Sequence, residues 1–152
     1  MIDLNGEPLV ILLVEDNEDH AFLVMRSMQD QRVANVIYHV DDGQKALDYL
    51  FHAHEYEKIE TSPSPNLILL DLRLPKVDGL EVLKIIKQTQ NLQRIPVVIL
   101  TSSDAESDVA RSYDYHANSY VVKPLDFNNF TKLMADLGFY WPFWNARPHL
   151  PF

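Results

Sequence analysis

Cysteine is absent from the 152 residues, so neither disulfides nor thiolate metal sites can hold this chain together. A reducing compartment is compatible with that. Basic charge is scarce: 13 lysines and arginines face 22 acids, for a formal net charge of −9. This excludes the broad basic surface that nucleic-acid binding requires. The one local basic cluster, Lys84 to Lys87, alternates with isoleucine and is expected to be a solvated helix face. Long hydrophobic runs are missing too, since none approaches the roughly 20 residues that cross a bilayer. The start, Met1-Ile-Asp-Leu-Asn-Gly-Glu-Pro8, lacks the basic opening and apolar stretch of a secretion signal. No internal repeat is visible. The expectation is one soluble cytoplasmic domain with no membrane or nucleic-acid partner.

What is present is a regular alternation of elements. Val10 to Val14, Asn35 to Val40, Leu67 to Leu70, Val97 to Leu100 and Ser119 to Val122 read as strands, mostly continuous apolar runs of the kind buried on both faces. Between them lie helical patterns. The first opens at Asn17-Glu18, with Asn17 as cap, and carries Ala21, Val24, Met25 and Met28 on its inward face to about Gln31. A second follows Asp41-Asp42-Gly43, and a third follows the loop Pro75 to Gly79. A short polar helix is expected from about Ser107 to Tyr115, and a last one from Asp126 to Gly138. Strands separated by helices pair in parallel through right-handed crossovers. The predicted fold is α/β, a doubly wound five-stranded parallel sheet of order 2-1-3-4-5, flavodoxin-like. His52 to Asn66, which ends in Ser62-Pro-Ser-Pro65, is expected as an exposed loop with local extended structure.

The strand ends carry the chemistry. The first strand stops at Glu15-Asp16, the third at Asp71, the fourth at Thr101, and the fifth is followed by Lys123-Pro124. In open α/β sheets that edge is where sites are built. Each residue has a plain structural reading alone: Asp16 as a helix cap, Thr101 as a satisfied strand hydroxyl, Lys-Pro as a loop. Together they are mutually useful. Three close carboxylates repel unless a cation lies between them, and Mg2+ takes oxygen ligands of this kind. The metal and Lys123 balance the acids, and the neutralised site can accept a phosphoryl group on Asp71. Lys123 and Thr101 would contact phosphoryl oxygens. The Lys123-Pro124 bond is a candidate cis peptide that aims the ammonium inward.

Val14-Glu15-Asp16-Asn17, Leu70-Asp71-Leu72-Arg73-Leu74-Pro75 with Asp78-Gly79, Leu100-Thr101-Ser102-Ser103 and Tyr120-Val121-Val122-Lys123-Pro124 together resemble the receiver domains of two-component response regulators. The match runs from about Val10 to Leu137. The resemblance implies Asp71 as phosphoacceptor, and Glu15, Asp16, Asp71 and the backbone carbonyl of Arg73 as the Mg2+ shell. It implies Thr101 and Tyr120 as a switch pair, Lys123 as the phosphate-binding lysine, and a histidine kinase as phosphodonor. Phe22 and Leu23 on the first helix are candidates for kinase contact. Arg73 and Ser103 stand at positions that vary in the family and tune water access. The loop before the third strand and the aromatic tail look most like single-domain regulators paired with cyanobacterial phytochromes. The only catalysis implied is phosphorylation and dephosphorylation of the chain's own Asp71.

Residues 1–138 are read as the receiver domain and 139–152 as an aromatic, proline-rich tail, with no length for an output domain. Phe139, Tyr140, Trp141, Phe143 and Trp144 either fold back on the last helix or form a homodimer contact with it, and the dimer is the favoured reading. Two other classes compete on the same fold. A phosphorylation-independent pseudo-receiver would not need the intact set Glu15, Asp16, Asp71, Thr101 and Lys123. A flavin carrier would need a glycine- and hydroxyl-rich loop where Glu15-Asp16-Asn17-Glu18 stands.

Overall fold

The computed structural model describes residues 8–29, 35–102, 105, 106, 117, 119–123, 128 and 132. Its elements are β1 (Leu9–Val14), α1 (Glu18–Gln29), β2 (Asn35–Val40), α2 (Gly43–Leu50), a 3-10 turn (His54–Tyr56), β3 (Leu67–Asp71), α3 (Gly79–Gln88), β4 (Val97–Thr101) and β5 (Ser119–Val122). All pairings are parallel, and the order is β2-β1-β3-β4-β5. This is the predicted topology.

Side-chain alternation along the strands supplies two cores from one sheet. Leu12, Val14, Ile68, Leu70, Val97 and Ile99 face α2 and α3, meeting Ala46, Leu47, Leu50, Val82, Leu83 and Ile86. Leu9, Ile11, Leu13, Leu67, Leu69, Val98 and Leu100 face the other way, against Ala21, Val24 and Met28 of α1. The handedness rule explains the split. The chain steps from β1 to β2 in one direction and from β2 to β3 to β4 in the other, so right-handed crossovers put α1 opposite α2 and α3. At the reversal, between β1 and β3, the connections diverge and leave a crevice at the carboxyl ends.

Each described helix start is capped by the residue type its sequence offers. Asn17 Oδ1 accepts from the His20 N–H at 3.0 Å, Asp42 from that of Lys45 at 2.7 Å, and Asp78 from that of Glu81 at 3.1 Å. Glycine is required where backbone passes close. A Cβ on Gly79 would lie 2.3 Å from the Asp71 carbonyl oxygen, and one on Gly43 would lie 1.7 Å from that of Val77. These contacts pin the β3–α3 loop under the end of β3.

Three expectations need correction. The segment from His52 to Asn66 is not simply exposed: Ser62 and Pro65 are buried, and the Tyr49 hydroxyl donates to the Pro63 carbonyl at 2.8 Å. Tyr56 packs on Tyr49 with ring centroids 5.3 Å apart, and Tyr49 on Tyr38 at 5.9 Å. Two aromatic rings thus draw a polar segment onto the sheet's flank. Lys87 is not a solvated lysine either. Its stem lies against the protein and its ammonium donates to the carbonyls of Gln93 at 3.2 Å and Ile95 at 3.0 Å, while burial lowers its pKa to about 8. The helix after β4 is already under way at Ala105 and Glu106, ahead of the expected Ser107. The last helix, apart from Asn128 and Lys132, and the 139–152 tail lie outside the described residues.

Candidate functional site

Four strand ends meet at the crevice. Glu15 leaves β1 fully buried, and its N–H donates to the Val40 carbonyl at 3.1 Å, which ties it to the end of β2. Asp16, next in the chain, is exposed. Asp71 is the last residue of β3 and is buried. One carboxylate oxygen from each of these three lies within 4.8 Å of the others. On the neighbouring strand, Leu100 is the Cα partner of Asp71, so Thr101 stands one residue further along the same edge. Thr101 is fully buried, and its hydroxyl donates to the Val121 carbonyl at 3.4 Å.

Lys123 follows β5, and its N–H donates to the Thr101 carbonyl at 2.8 Å. That bond turns the side chain inward. The ammonium is buried and donates to Glu15 Oε1 at 2.9 Å, with Asp71 Oδ1 further off at 3.6 Å. A third contact was not anticipated: His20 Nδ1 lies 3.0 Å from the same nitrogen. Burial first, then the Lys123 charge, hold the His20 imidazole below its ordinary range against the pull of Asp71, Asp19 and Asp16. The neutral ring therefore accepts from the ammonium. Its 3.6 Å approach to Glu15 is proximity, not an ion pair.

The site is short of positive charge. Burial pushes the Asp71 carboxyl up to about 7, the Glu15 carboxylate adds to the rise through a shared proton and its charge, Lys123 opposes it, and Asp16 adds slightly. Asp71 Oδ1 is buried without a hydrogen-bond partner. Three clustered carboxylates, one lysine and an orphaned oxygen fit a hard divalent cation with oxygen ligands.

Two more contacts border the site. His39 Nε2 donates to the Glu15 carbonyl at 2.7 Å, anchoring the turn that presents both acids. Arg73, two residues past Asp71, is exposed, and its guanidinium pairs with Glu106 at 2.8 Å. Sequence reasoning missed His20, His39 and Glu106. A signal for His20 existed: it stands four residues before Val24 and eight before Met28, so the inward stripe of α1 reaches it at the end nearest the crevice.

The remaining expected residues are placed less fully. Tyr120 lies in β5 with Ile99 as its Cα partner, its side chain outside the described residues. Pro124, and with it the expected cis bond, lies outside them, as do Phe139, Tyr140, Trp141, Phe143 and Trp144. Phe22 projects from α1, 62% exposed, whereas Leu23 packs against the α1 core.

The chain is similar to known proteins. Residues 11–135 match the family described as the response regulator receiver domain. The chain is 45% identical over 142 residues to the probable methanogenesis regulatory protein FilR2 of Methanothrix harundinacea, which covers 93% of this chain and 89% of that one. It is 43% identical over 141 residues to response regulator Rcp1 of Synechocystis, covering 93% and 94%. The Mn(2+)-bound structure of Rcp1 superposes with a TM-score of 0.78 over 88% of this chain and 94% of that one. The phosphorylated cyanobacterial phytochrome response regulator RcpA does so with a TM-score of 0.80 at 38% identity, over 88% and 94%.

Proposed function

The chain belongs to the response regulator receiver domain family, and on that footing we propose that it is a phosphorylation switch whose phosphoacceptor is Asp71. The observation that carries this reading is the unpartnered Oδ1 of Asp71, buried at the end of β3 with the Lys123 ammonium 3.6 Å away. The donor is the phosphohistidine of a histidine kinase. An Asp71 oxygen attacks phosphorus, the P–N bond breaks, and the departing imidazole nitrogen keeps the electron pair and takes a proton from solvent. Lys123 favours the ionised nucleophile and then donates to a phosphoryl oxygen. Thr101 exchanges its long bond to Val121 for another phosphoryl oxygen, and Tyr120 is its partner in the switch. Hydrolysis reverses the state: water attacks phosphorus, the P–O bond to Asp71 breaks, and inorganic phosphate leaves. No other substrate is turned over.

Glu15, Asp16, Asp71 and the Arg73 carbonyl are the groups that would hold Mg2+. Bound there, the ion would neutralise charge on the transferring phosphoryl oxygens. That a relative, Rcp1, has a Mn(2+)-bound form supports a divalent cation as a ligand of this chain.

A phytochrome-type kinase is the finer part of the proposal. RcpA, by name a phytochrome response regulator, supports it, while the kinship with FilR2, named for methanogenesis regulation, points to a different input for the same switch. Exposed Phe22 is the apolar contact offered to the kinase on α1. The last helix and the segment Phe139 to Trp144 are proposed to join two copies, and loss of residues 139–152 should halve the mass seen by light scattering. The same reading places the chain in the cytoplasm; among the described residues no helix is long and apolar enough to cross a membrane.

The deciding experiment is incubation with Mg2+ and acetyl phosphate, read by intact mass. One added phosphoryl group in the parent and none in Asp71→Asn is the expected result. No gain in the parent would instead make this chain a phosphorylation-independent binding module.

A further inference from the structure

The backbone of Glu15 is held at both of its polar groups by the end of β2, and one of the two holds is a side chain. β1 and β2 run parallel, with Leu13 and Val14 as the Cα partners of His39 and Val40. The Glu15 N–H donates to the Val40 carbonyl at 3.1 Å, which carries the ladder one step past the end of β1. A parallel ladder would next bring the Glu15 carbonyl the N–H of the residue two beyond Val40. That residue is Asp42, which has left the sheet to cap α2. His39 Nε2 stands in for the missing strand and donates to the carbonyl at 2.7 Å.

The consequence falls on Asp16. A peptide unit is planar, so a fixed carbonyl direction at Glu15 also fixes the nitrogen and Cα of Asp16. On the far side, the Asn17 N–H donates to Glu15 Oε2 at 3.4 Å, and the Asn17 side chain caps α1. Asp16 thus lies between two anchored residues. Glu15 and Asp71 are buried, and packing places them. Asp16 is exposed, so its carboxylate goes where its backbone sends it. Mg2+ demands near-ideal octahedral geometry at about 2.0–2.1 Å, whereas Ca2+ accepts looser shells at about 2.3–2.6 Å. An acid carried on a backbone free to tilt would therefore serve the smaller ion worse.

We infer that His39 is a positioning residue for the divalent cation, holding the Glu15–Asp16 peptide so that Asp16 meets a small, rigidly coordinated ion. The inference rests on the reading of Glu15, Asp16 and Asp71 as groups that hold Mg2+. The hold of His39 is on the backbone. Its ring stands exposed on the edge strand, so its replacement leaves both cores intact.

The test is calorimetric titration of Mg2+ and of Ca2+ into the full chain and two variants. His39→Phe keeps a ring and loses the donor; His39→Gln keeps an N–H at similar reach. His39→Phe should bind Mg2+ about tenfold more weakly, the low end of the loss when a partner behind a metal ligand is removed. Its loss for Ca2+ should be smaller. His39→Gln should bind both ions as the parent does. Urea unfolding in chelator is read in parallel, because a purely structural hydrogen bond would lower stability and leave both affinities alone. That result overturns the inference, as does equal loss in the two variants or equal loss for the two ions; in each case the three carboxylates stand as the Mg2+ site. A parent chain that binds no Mg2+ removes that site and this inference with it.

Discussion

The ammonium of Lys123 stops 3.6 Å from Oδ1 of Asp71, within ion-pair range but beyond a hydrogen bond. It is drawn aside to Glu15 at 2.9 Å and His20 at 3.0 Å. The resting site is thus partly neutralised by its own lysine, yet the oxygen at the end of β3 is left open. An incoming group meets an acceptor without a partner and a cation already poised beside it.

Asp71 should cost the metal-free fold stability in a pH-dependent way. Its carboxyl rises from 3.8 unfolded to about 7 folded, so the folded chain binds more protons between those values. Stability therefore falls as pH climbs from about 4 through 7. Asn carries no charge there. Asp71→Asn should exceed the parent by roughly 1–4 kcal/mol in chelator at pH 8 and by little near pH 4. Urea unfolding at the two pH values measures this; an equal gap at both would contradict it. Added Mg2+ should narrow the gap at pH 8 by stabilising the parent.

Lys123→Met removes the cation that faces the fully buried Glu15. Leaving one member of a buried pair uncompensated costs about 3–5 kcal/mol. The loss should appear in chelator and be largely recovered by Mg2+. Thermal unfolding with and without the metal reads it, and a variant as stable as the parent in chelator would show that the pair contributes nothing.

His20→Ala deletes an acceptor for the Lys123 ammonium and should destabilise by about 1 kcal/mol at pH 8, a figure reduced because the ring is partly exposed. His20→Asn places an oxygen near the former Nδ1 and should restore most of it. Equal losses in the two variants would mean that packing, not the hydrogen bond, is the contribution.

Tyr49→Phe keeps the ring stack and deletes the bond to the Pro63 carbonyl. The expected cost is about 1 kcal/mol, with faster proteolysis confined to the segment from His52 to Asn66. Unchanged cleavage there would show that the aromatic contacts alone hold the segment.

The fold was legible because its signals are local and repeated. The apolar runs within Leu9–Val14, Leu67–Asp71 and Val97–Thr101 are short and bounded by turn residues, which reads as buried strands, and Asn17, Asp42 and Asp78 mark helix starts by their own hydrogen-bonding chemistry. The acids and the lysine at strand ends were legible for the same reason, since topology alone sends them to one edge. Lys87 and the segment before β3 were misread because their burial depends on partners far along the chain. No local pattern tells a lysine that its ammonium will meet the turn carbonyls of Gln93 and Ile95.

By itself the sequence determined the strand order, the faces of the helices and the carboxylates, hydroxyl and lysine that share one edge. The faces and strand ends follow from periodicity over a few residues, and the order from the doubly wound class with its right-handed strand–helix–strand crossovers. Tertiary structure alone decided how the charges pair. Lys123 chooses Glu15 and His20 over Asp71, His39 anchors the Glu15 carbonyl, and Glu106 holds Arg73. Such pairings turn on ångström differences in distance and on burial, which arise only when segments remote in the chain have packed.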